Sequence, residues 1–340
     1  MTQLVRRMTS GTSIWRPGLS IVLLVVLVIL GLTLGPGPLS ILSRIVILSI
    51  YALAYGVLLG YANQPSLGQS LFFGLGAYAA ILPFSNATGG FWQAIGLSVL
   101  IGVVVGAATG ALVVRMAEAY HVIVTALFAS IANLVASNAN AITGGTGGVT
   151  ADIPDIPLGF VTISVYNRTQ SYLLVLGFAV LSYVILSLLV RSPIGKVWQA
   201  TRENEERALS VGYQTYWFKL VAFAICAGFT ALSGALYATD LRYASSDYFG
   251  LYWSVLPFVW VLLGGIGTFA GPIIGVALFT VFQFYVSSVW EHYLILFGVL
   301  MLAILRWAPG GILGYLSTWM RNRNIILTQE YGPVPTKDDK

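Results

Sequence analysis

The sequence predicts an all-α, polytopic integral membrane protein with about ten transmembrane helices, on three observations. Of its 340 residues, 57% are hydrophobic and 9% are charged, whereas a soluble domain carries about 25% charged residues. Apolar runs approaching the roughly 20 residues needed to cross a hydrocarbon core recur along the whole chain. Alternating those runs across a membrane gathers nearly all the basic residues on one side. Glycine is abundant, at 37 residues, which suits close helix packing in lipid.

The candidate spans are 19–35, 41–61, 66–84, 91–114, 121–140, 171–190, 218–238, 251–268, 272–289 and 292–307. None shows the alternation of barrel strands. A helix satisfies its own backbone in lipid, so all are expected to be helical. The first run follows Arg6, Arg7 and Arg16 and so imitates a signal peptide. It is longer than a typical signal core and ends in Gly35-Pro36-Gly37-Pro38 without a small-residue cleavage site. It is read as a retained first span, preceded by a cytoplasmic segment, 1–18. The third run, 66–84, is expected to be broken by Gly68, Gly74 and Gly76.

Orientation follows from the loops. With the N-terminus in the cytoplasm, 14 Lys and Arg fall on the cytoplasmic side and 3 outside (Arg44, Arg168 and Arg242). Both termini come out cytoplasmic, with 19–315 as the membrane domain and 316–340 as a cytoplasmic tail. The protein is thus placed in a membrane as a multi-pass chain. Two loops are long: an external one, 141–170, and a cytoplasmic one, 191–217.

Several chemistries are excluded. One cysteine, Cys226, rules out an internal disulfide, and His121 and His292 lie far apart, against a zinc site. The glycines of Gly264-Gly265-x-Gly267 follow no strand and lack a Lys-Ser/Thr ending, so they are no phosphate loop. No such loop occurs anywhere in the chain, so ATP hydrolysis, if it drives this protein, belongs to another subunit. No nucleophile–base pair or carboxylate cluster lies at membrane depth, so an enzyme is not expected. Glu118 and Glu291 sit near span ends. The lack of an ionisable group at mid-membrane weighs against an ion-coupled secondary carrier, although sodium sites can be built from carbonyls.

Two groups of residues carry the functional reading. The cytoplasmic loop from Gly195 onward reads as one short amphipathic helix with Val197, Ala200 and Thr201 on one face. Arg202 and Glu206, four apart, suit an ion pair, and Gly212 suits the terminating cap. Such a helix is fit to dock a soluble partner; a solvated linker is the plainer reading. The second group is the uncharged polar residues inside the spans: Asn63, Gln64, Gln69, Tyr78, Thr125, Ser130, Asn133, Ser137 and Asn138. Ser130, Asn133 and Ser137 share one helix face. They either line a polar pathway or bond neighbouring helices. Thr143, Gly144 and Gly145 open a glycine-rich stretch outside, read as an irregular turn or a mobile gate.

The pattern Ser192-Pro193-x-Gly195, Ala200-x-Arg202-Glu203-x-Glu205, Ala208 and Gly212 resembles the coupling loop of ABC importer permeases of the branched-chain amino acid family. Further matches, in order, are Asn63-Gln64-Pro65-Ser66-Leu67-Gly68-Gln69-Ser70, Ile123-Val124-Thr125, Thr143-Gly144-Gly145, Leu263-Gly264-Gly265-x-Gly267 and Pro309-Gly310-Gly311-Ile312-Leu313-Gly314. They run from about residue 50 to 315. The resemblance implies the permease subunit of an ATP-driven importer, taking up branched-chain amino acids or similar small polar solutes. Its partners would be a homologous second permease, two ABC ATPases, an external solute-binding protein and membrane lipid, with no nucleic acid. No cofactor is implied on this chain; ATP and magnesium would bind the ATPases. Arg202, Glu203, Asn204, Glu205, Ala208 and Gly212 would couple to those ATPases. The chain departs from the family pattern at several positions. Asn204 replaces an Asp, Leu209 an acidic residue, Glu118 a glycine, and Ser130 and Asn133 an acidic–basic pair. These leave the charge pairing and the substrate open, with urea, short amides and aromatic acids as alternatives.

Overall fold

A computed structural model describes residues 17–85, 89–157 and 162–287, with residues 298, 299, 306 and 311. Nine of the ten expected spans meet a helix in it; the tenth, 292–307, and the two terminal segments lie outside the continuously described residues. The helices are α1 (Pro17–Thr33), α2 (Pro36–Gly60), α3 (Gln69–Ser85), α4 (Phe91–Val113), α5 (Glu118–Asn138), α6 (Asn140–Thr143) and α7 (Arg168–Arg191). There follow α8 (Pro193–Glu203), α9 (Glu205–Ser210), α10 (Thr215–Leu241), α11 (Leu251–Gly264) and α12 (Gly271–Ser287). Five of these, α2, α4, α5, α7 and α10, are long and apolar enough to cross a membrane by length and composition.

Two helices form the centre. Within their apolar windows, α2 and α10 are 78% and 72% buried, against 28%, 22% and 28% for α4, α5 and α7. The outer helices therefore leave most of an apolar surface bare, as a lipid-facing shell does. Small residues let α10 approach its neighbours. Gly102, Gly106 and Gly110 of α4 descend past Ala231, Ala227 and Phe223 of α10, so the two run antiparallel. A Cβ on Gly106 would stand 2.4 Å from that of Ala227. Between α3 and α10 the fit is reciprocal. Gly76 lies against the Ala231 carbonyl and Gly234 against that of Phe73, each with 2.0 Å to an added Cβ.

The substitution Gly106→Leu is accordingly expected to destabilise the chain by about 1–3 kcal/mol through overpacking. A lowered thermal midpoint in detergent checks it. Gly177→Ala on α7, where nothing lies within 4 Å, should leave the midpoint unchanged.

The third span differs from expectation. Gly74 and Gly76 sit inside an unbroken α3, and the irregular stretch precedes it, at 61–68. That stretch is largely buried, including Gln64, Ser66 and Gly68. Tyr55, on the last turns of α2, donates to the Ser66 carbonyl at 3.0 Å, so the chain folds back alongside the helix it has just left. Irregular backbone is tolerated at such depth only where protein surrounds it. Here Gln64 N–H bonds the Leu58 carbonyl, Leu67 N–H bonds Thr125 Oγ1, and Gln64 Nε2 bonds the Lys219 carbonyl.

The loops gather at two faces of the bundle. On one face β1 (Val149–Thr150) pairs antiparallel with β4 (Tyr243–Ala244), and Arg168 meets Asp240 at 3.4 Å. A second two-residue pair, β2 (Ile156–Pro157) with β3 (Thr162–Ile163), lies within the 141–170 loop. On the opposite face Arg115 stacks 4.7 Å over Tyr216, and Arg202 reaches the end of α2. The half of the bundle nearer 141–170 is filled by aromatic rings. Phe73 is stacked between Tyr51 at 5.3 Å and Trp253 at 4.8 Å, with Tyr237 and Tyr248 around it.

Candidate coupling segment and translocation face

Ser192 caps α8 by accepting from Gly195 N–H, and Pro193 occupies the first turn, where a missing N–H costs nothing. The loop then departs from the single expected helix. Asn204 is extended, with φ −164°, and its side-chain oxygen accepts the Arg207 N–H at 2.8 Å. It thus ends α8 and caps α9. An Asp at this position would make the same cap, so the substitution of Asn for Asp changes charge and keeps the bend. Asn204→Ala is expected to cost about 1 kcal/mol locally, read as faster amide exchange over 205–210.

The break re-aims the charged residues. Arg202 does not pair with Glu206, as the i, i+4 spacing suggested, because the two lie on different helices. Its guanidinium donates instead to the Gly60 carbonyl at the C-terminus of α2, where the helix dipole favours a cation. The same guanidinium lies on Gly267, whose φ of +82° belongs to glycine; a Cβ there would come within 3.1 Å of Nη1. Gly60 in turn abuts Gly267 N, and Gly311 packs on Gly265. The glycine turn after α11 is therefore a close-packed joint between α2, Gly311 and the α8 helix.

Glu205 reaches across to α10. It accepts from Thr215 Oγ1 at 3.0 Å and pairs with Lys219 Nζ at 2.6 Å, binding α9 to α10. Trp198 is buried and donates to the Phe218 carbonyl at 2.8 Å, while Val197, Thr201 and Ala208 pack beneath. Ala200, expected with them, faces outward. Gly212 bonds the Leu209 carbonyl and ends α9. Outward-facing are Glu203, Glu206 and Arg207, together with Ile194, Leu209, Val211 and Tyr213. Leu209 is 52% and Val211 72% exposed. The outer side of the segment thus carries exposed apolar residues among charges, Leu209 and Val211 the most open of them.

The polar residues of the spans divide into two sets. Gln69 is fully buried, with Oε1 accepting from Thr230 at 3.4 Å and Cys226 at 3.6 Å. Thr125 is buried and holds Leu67, and Gln64 holds α10 through the Lys219 carbonyl. These bond helices of the one chain. Tyr78 is also buried; it stacks on Phe249 and donates to the Thr143 carbonyl at 3.1 Å. The second set lies on α5. Ser130 is exposed, Asn133 is half-buried and donates to the Ser246 carbonyl at 2.9 Å, and Ser137 bonds back to Asn133. Around them Leu127, Ile131, Leu134 and Val135 are exposed, so α5 presents a mixed polar and apolar face outside the chain's own core.

At the end of α6, Thr143 Oγ1 accepts from Gly145 N–H and donates to the Ala139 carbonyl at 2.9 Å. Gly144 and Gly145 have φ of +68° and +61°, and an added Cβ would strike the Gly148 carbonyl and the Asn140 side chain. The stretch is a tightly wound turn. Beside it opens a cleft of about 370 Å³ lined by Leu82, Ser85, Asn140, Ile142 and Val149, large enough for a small solute. Sequence reasoning missed this cleft, whose walls are 50 or more residues apart in the chain, and also missed the exposed apolar residues, since its eye was on the charges. Among the described residues no cluster of metal-ligating side chains occurs.

The profile of the family described as "Branched-chain amino acid transport system / permease component" matches residues 37–305. The chain is 29% identical over 312 residues to the high-affinity branched-chain amino acid transport system permease protein LivM of Salmonella typhimurium, covering 86% of this chain and 73% of that one. It is 28% identical over 335 residues to the LivM protein of Escherichia coli, covering 92% and 79%. The probable branched-chain amino acid transport permease protein LivM of Methanocaldococcus jannaschii is 27% identical over 314 residues, covering 78% and 89%. No solved structure gives a significant match. This integral membrane chain is therefore a transport permease component and not an enzyme, and it belongs to the branched-chain amino acid transport system permease family.

Proposed function

We propose that the chain is the transmembrane permease subunit of an ATP-driven importer of branched-chain amino acids. It sits in a bacterial inner membrane with both termini and α8–α9 in the cytoplasm, the orientation supported by the 14 to 3 split of basic residues. One observation carries the reading: α8–α9 is fixed on its inner side to α2 and α10 through Arg202 and Glu205, while its outer side carries uncovered apolar residues among charges. One of two ABC ATPases seats against that side; the pair binds ATP and magnesium and drives the segment as a lever. A homologous second permease faces α5, and the solute moves between them past Ser130, Asn133 and Ser137. An external binding protein delivers it near the cleft beside Gly144. The substrate follows the printed names of the relatives; neutral Ser130 and Asn133 suit a solute carrying no net charge.

The test is uptake of leucine into proteoliposomes holding the complete complex, with ATP inside and the binding protein outside. Uptake should require both. Uptake that survives ATP removal and collapses with an ion gradient would assign the chain to the secondary carriers instead. A thermal-shift screen of the binding protein against leucine, urea, short amides and aromatic acids should show its largest shift with leucine; a larger one with another solute would replace the substrate.

A further inference from the structure

Four buried side-chain polar atoms have no hydrogen-bond partner among the described residues, and three of them gather at one place. Gln64 Oε1 and Gln69 Nε2 belong to the irregular stretch 61–68 and to the first residue of α3. The third, His121 Nε2, lies on α5 one turn before Thr125, which bonds Leu67 of that stretch. The His121 ring meets Phe223 of α10 edge-on at 5.7 Å. Phe223 stands one turn past Lys219, whose carbonyl holds Gln64. All three atoms are enclosed by protein, with no surface for water or a ligand to reach. Their partners can come only from the chain's own groups changing place. Buried polar groups are rarely left unpaired, because their desolvation is then uncompensated.

The same stretch joins the coupling segment to the translocation face. It follows Gly60, which Arg202 holds. Glu205 of α9 pairs with Lys219 Nζ at 2.6 Å, and Gln64 Nε2 donates to the Lys219 carbonyl at 3.1 Å. Further along, Leu67 N–H donates to Thr125 Oγ1 at 3.2 Å. Gly68 lies so close to α5 that an added Cβ would stand 2.5 Å from the Thr125 carbonyl. Groups packed this closely transmit a displacement and do not absorb it. A shift of α9 therefore reaches α5, with Ser130, Asn133 and Ser137 on it, through Lys219, Gln64 and Leu67. Gln64 acts through these neighbours, as a positioning residue.

We propose that the 61–69 stretch has two arrangements in the transport cycle, the second bonding the groups left unbonded here, and that Gln64 ties it to α10 so that the coupling segment drives the change. The inference rests on the ATP-driven importer reading and names its transmission element. The test is solute moved per ATP hydrolysed by the assembled complex in proteoliposomes, with the thermal midpoint measured in detergent. Gln64→Met keeps the side-chain volume and removes the unbonded Oε1, and the Lys219 carbonyl keeps its bond within α10. The midpoint should hold or rise, while the ratio falls about tenfold. A glutamine that only held the fold would give a lower midpoint with the ratio intact; that result, or an unchanged ratio at any midpoint, overturns the proposal. Thr125→Val, which takes the acceptor from Leu67 N–H, should lower the ratio too. Should neither variant assemble, amide exchange in the wild-type complex decides. A non-hydrolysable ATP analogue with magnesium should change exchange over 61–68 about tenfold and leave the middle of α2 as it was. Wild-type uptake that needs no ATP rejects the importer reading and this inference with it. ATP-driven uptake with exchange over 61–68 indifferent to nucleotide rejects this inference alone.

Discussion

Replacing residues 203–212 by a Gly-Ser stretch of equal length is expected to abolish ATP-driven uptake while the membrane helices still fold. The replacement removes the Asn204 cap, the Glu205 contacts with Thr215 and Lys219, and the exposed Leu209. It spares Arg202, and it leaves the α4–α10 and α3–α10 glycine contacts, which hold the bundle, untouched. A flexible linker transmits no motion, since coupling between sites needs an element whose states both sites bias. Coupling free energies of about 1–3 kcal/mol correspond to roughly 5–150-fold, and a full loss belongs at the upper end, on the order of 100-fold in uptake rate. Proteoliposome uptake measures it, with size-exclusion chromatography and thermal midpoint reporting the fold.

The second large effect is expected on α5. Ser130→Trp places a bulky ring on a face that the chain itself leaves open. Lipid tails would rearrange around it at little cost. A packed partner helix or a narrow solute path would not, because close-packed surfaces resist added volume. Uptake should fall about tenfold or more, with the ATPases still co-purifying. Leu100→Trp, an exposed apolar position on α4, serves as the control for insertion. Full uptake in Ser130→Trp would place α5 against lipid and move the pathway elsewhere.

Much of the fold was legible because lipid imposes a simple rule: a helix must be apolar for about 20 residues. The span 91–114 meets Phe91–Val113, and 171–190 meets Arg168–Arg191. The misses fall where tertiary partners replace that rule. Residues 66–68 fall inside the expected third span, yet Tyr55 and Thr125 supply their hydrogen bonds from α2 and α5. Likewise 251–268 overshoots, because the chain leaves α11 at Gly265, with φ +120°, to pack against Gly311. In the coupling segment the residues were legible but their directions were not. One extended residue, Asn204, sends Arg202 to Gly60, turns Glu205 toward Lys219, and leaves Leu209 and Val211 in the open. No local period encodes that.

The most direct measurement is solute moved per ATP hydrolysed in the assembled complex, comparing wild type with Arg202→Ala. That substitution cuts the link from α8 to Gly60 and the glycine joint while leaving α9 and its outward side in place. Hydrolysis should stay within about twofold of wild type, while uptake falls about tenfold, as the loss of one charge-assisted bond permits, so that the ratio drops. An unchanged ratio would show that force reaches the membrane helices by another route.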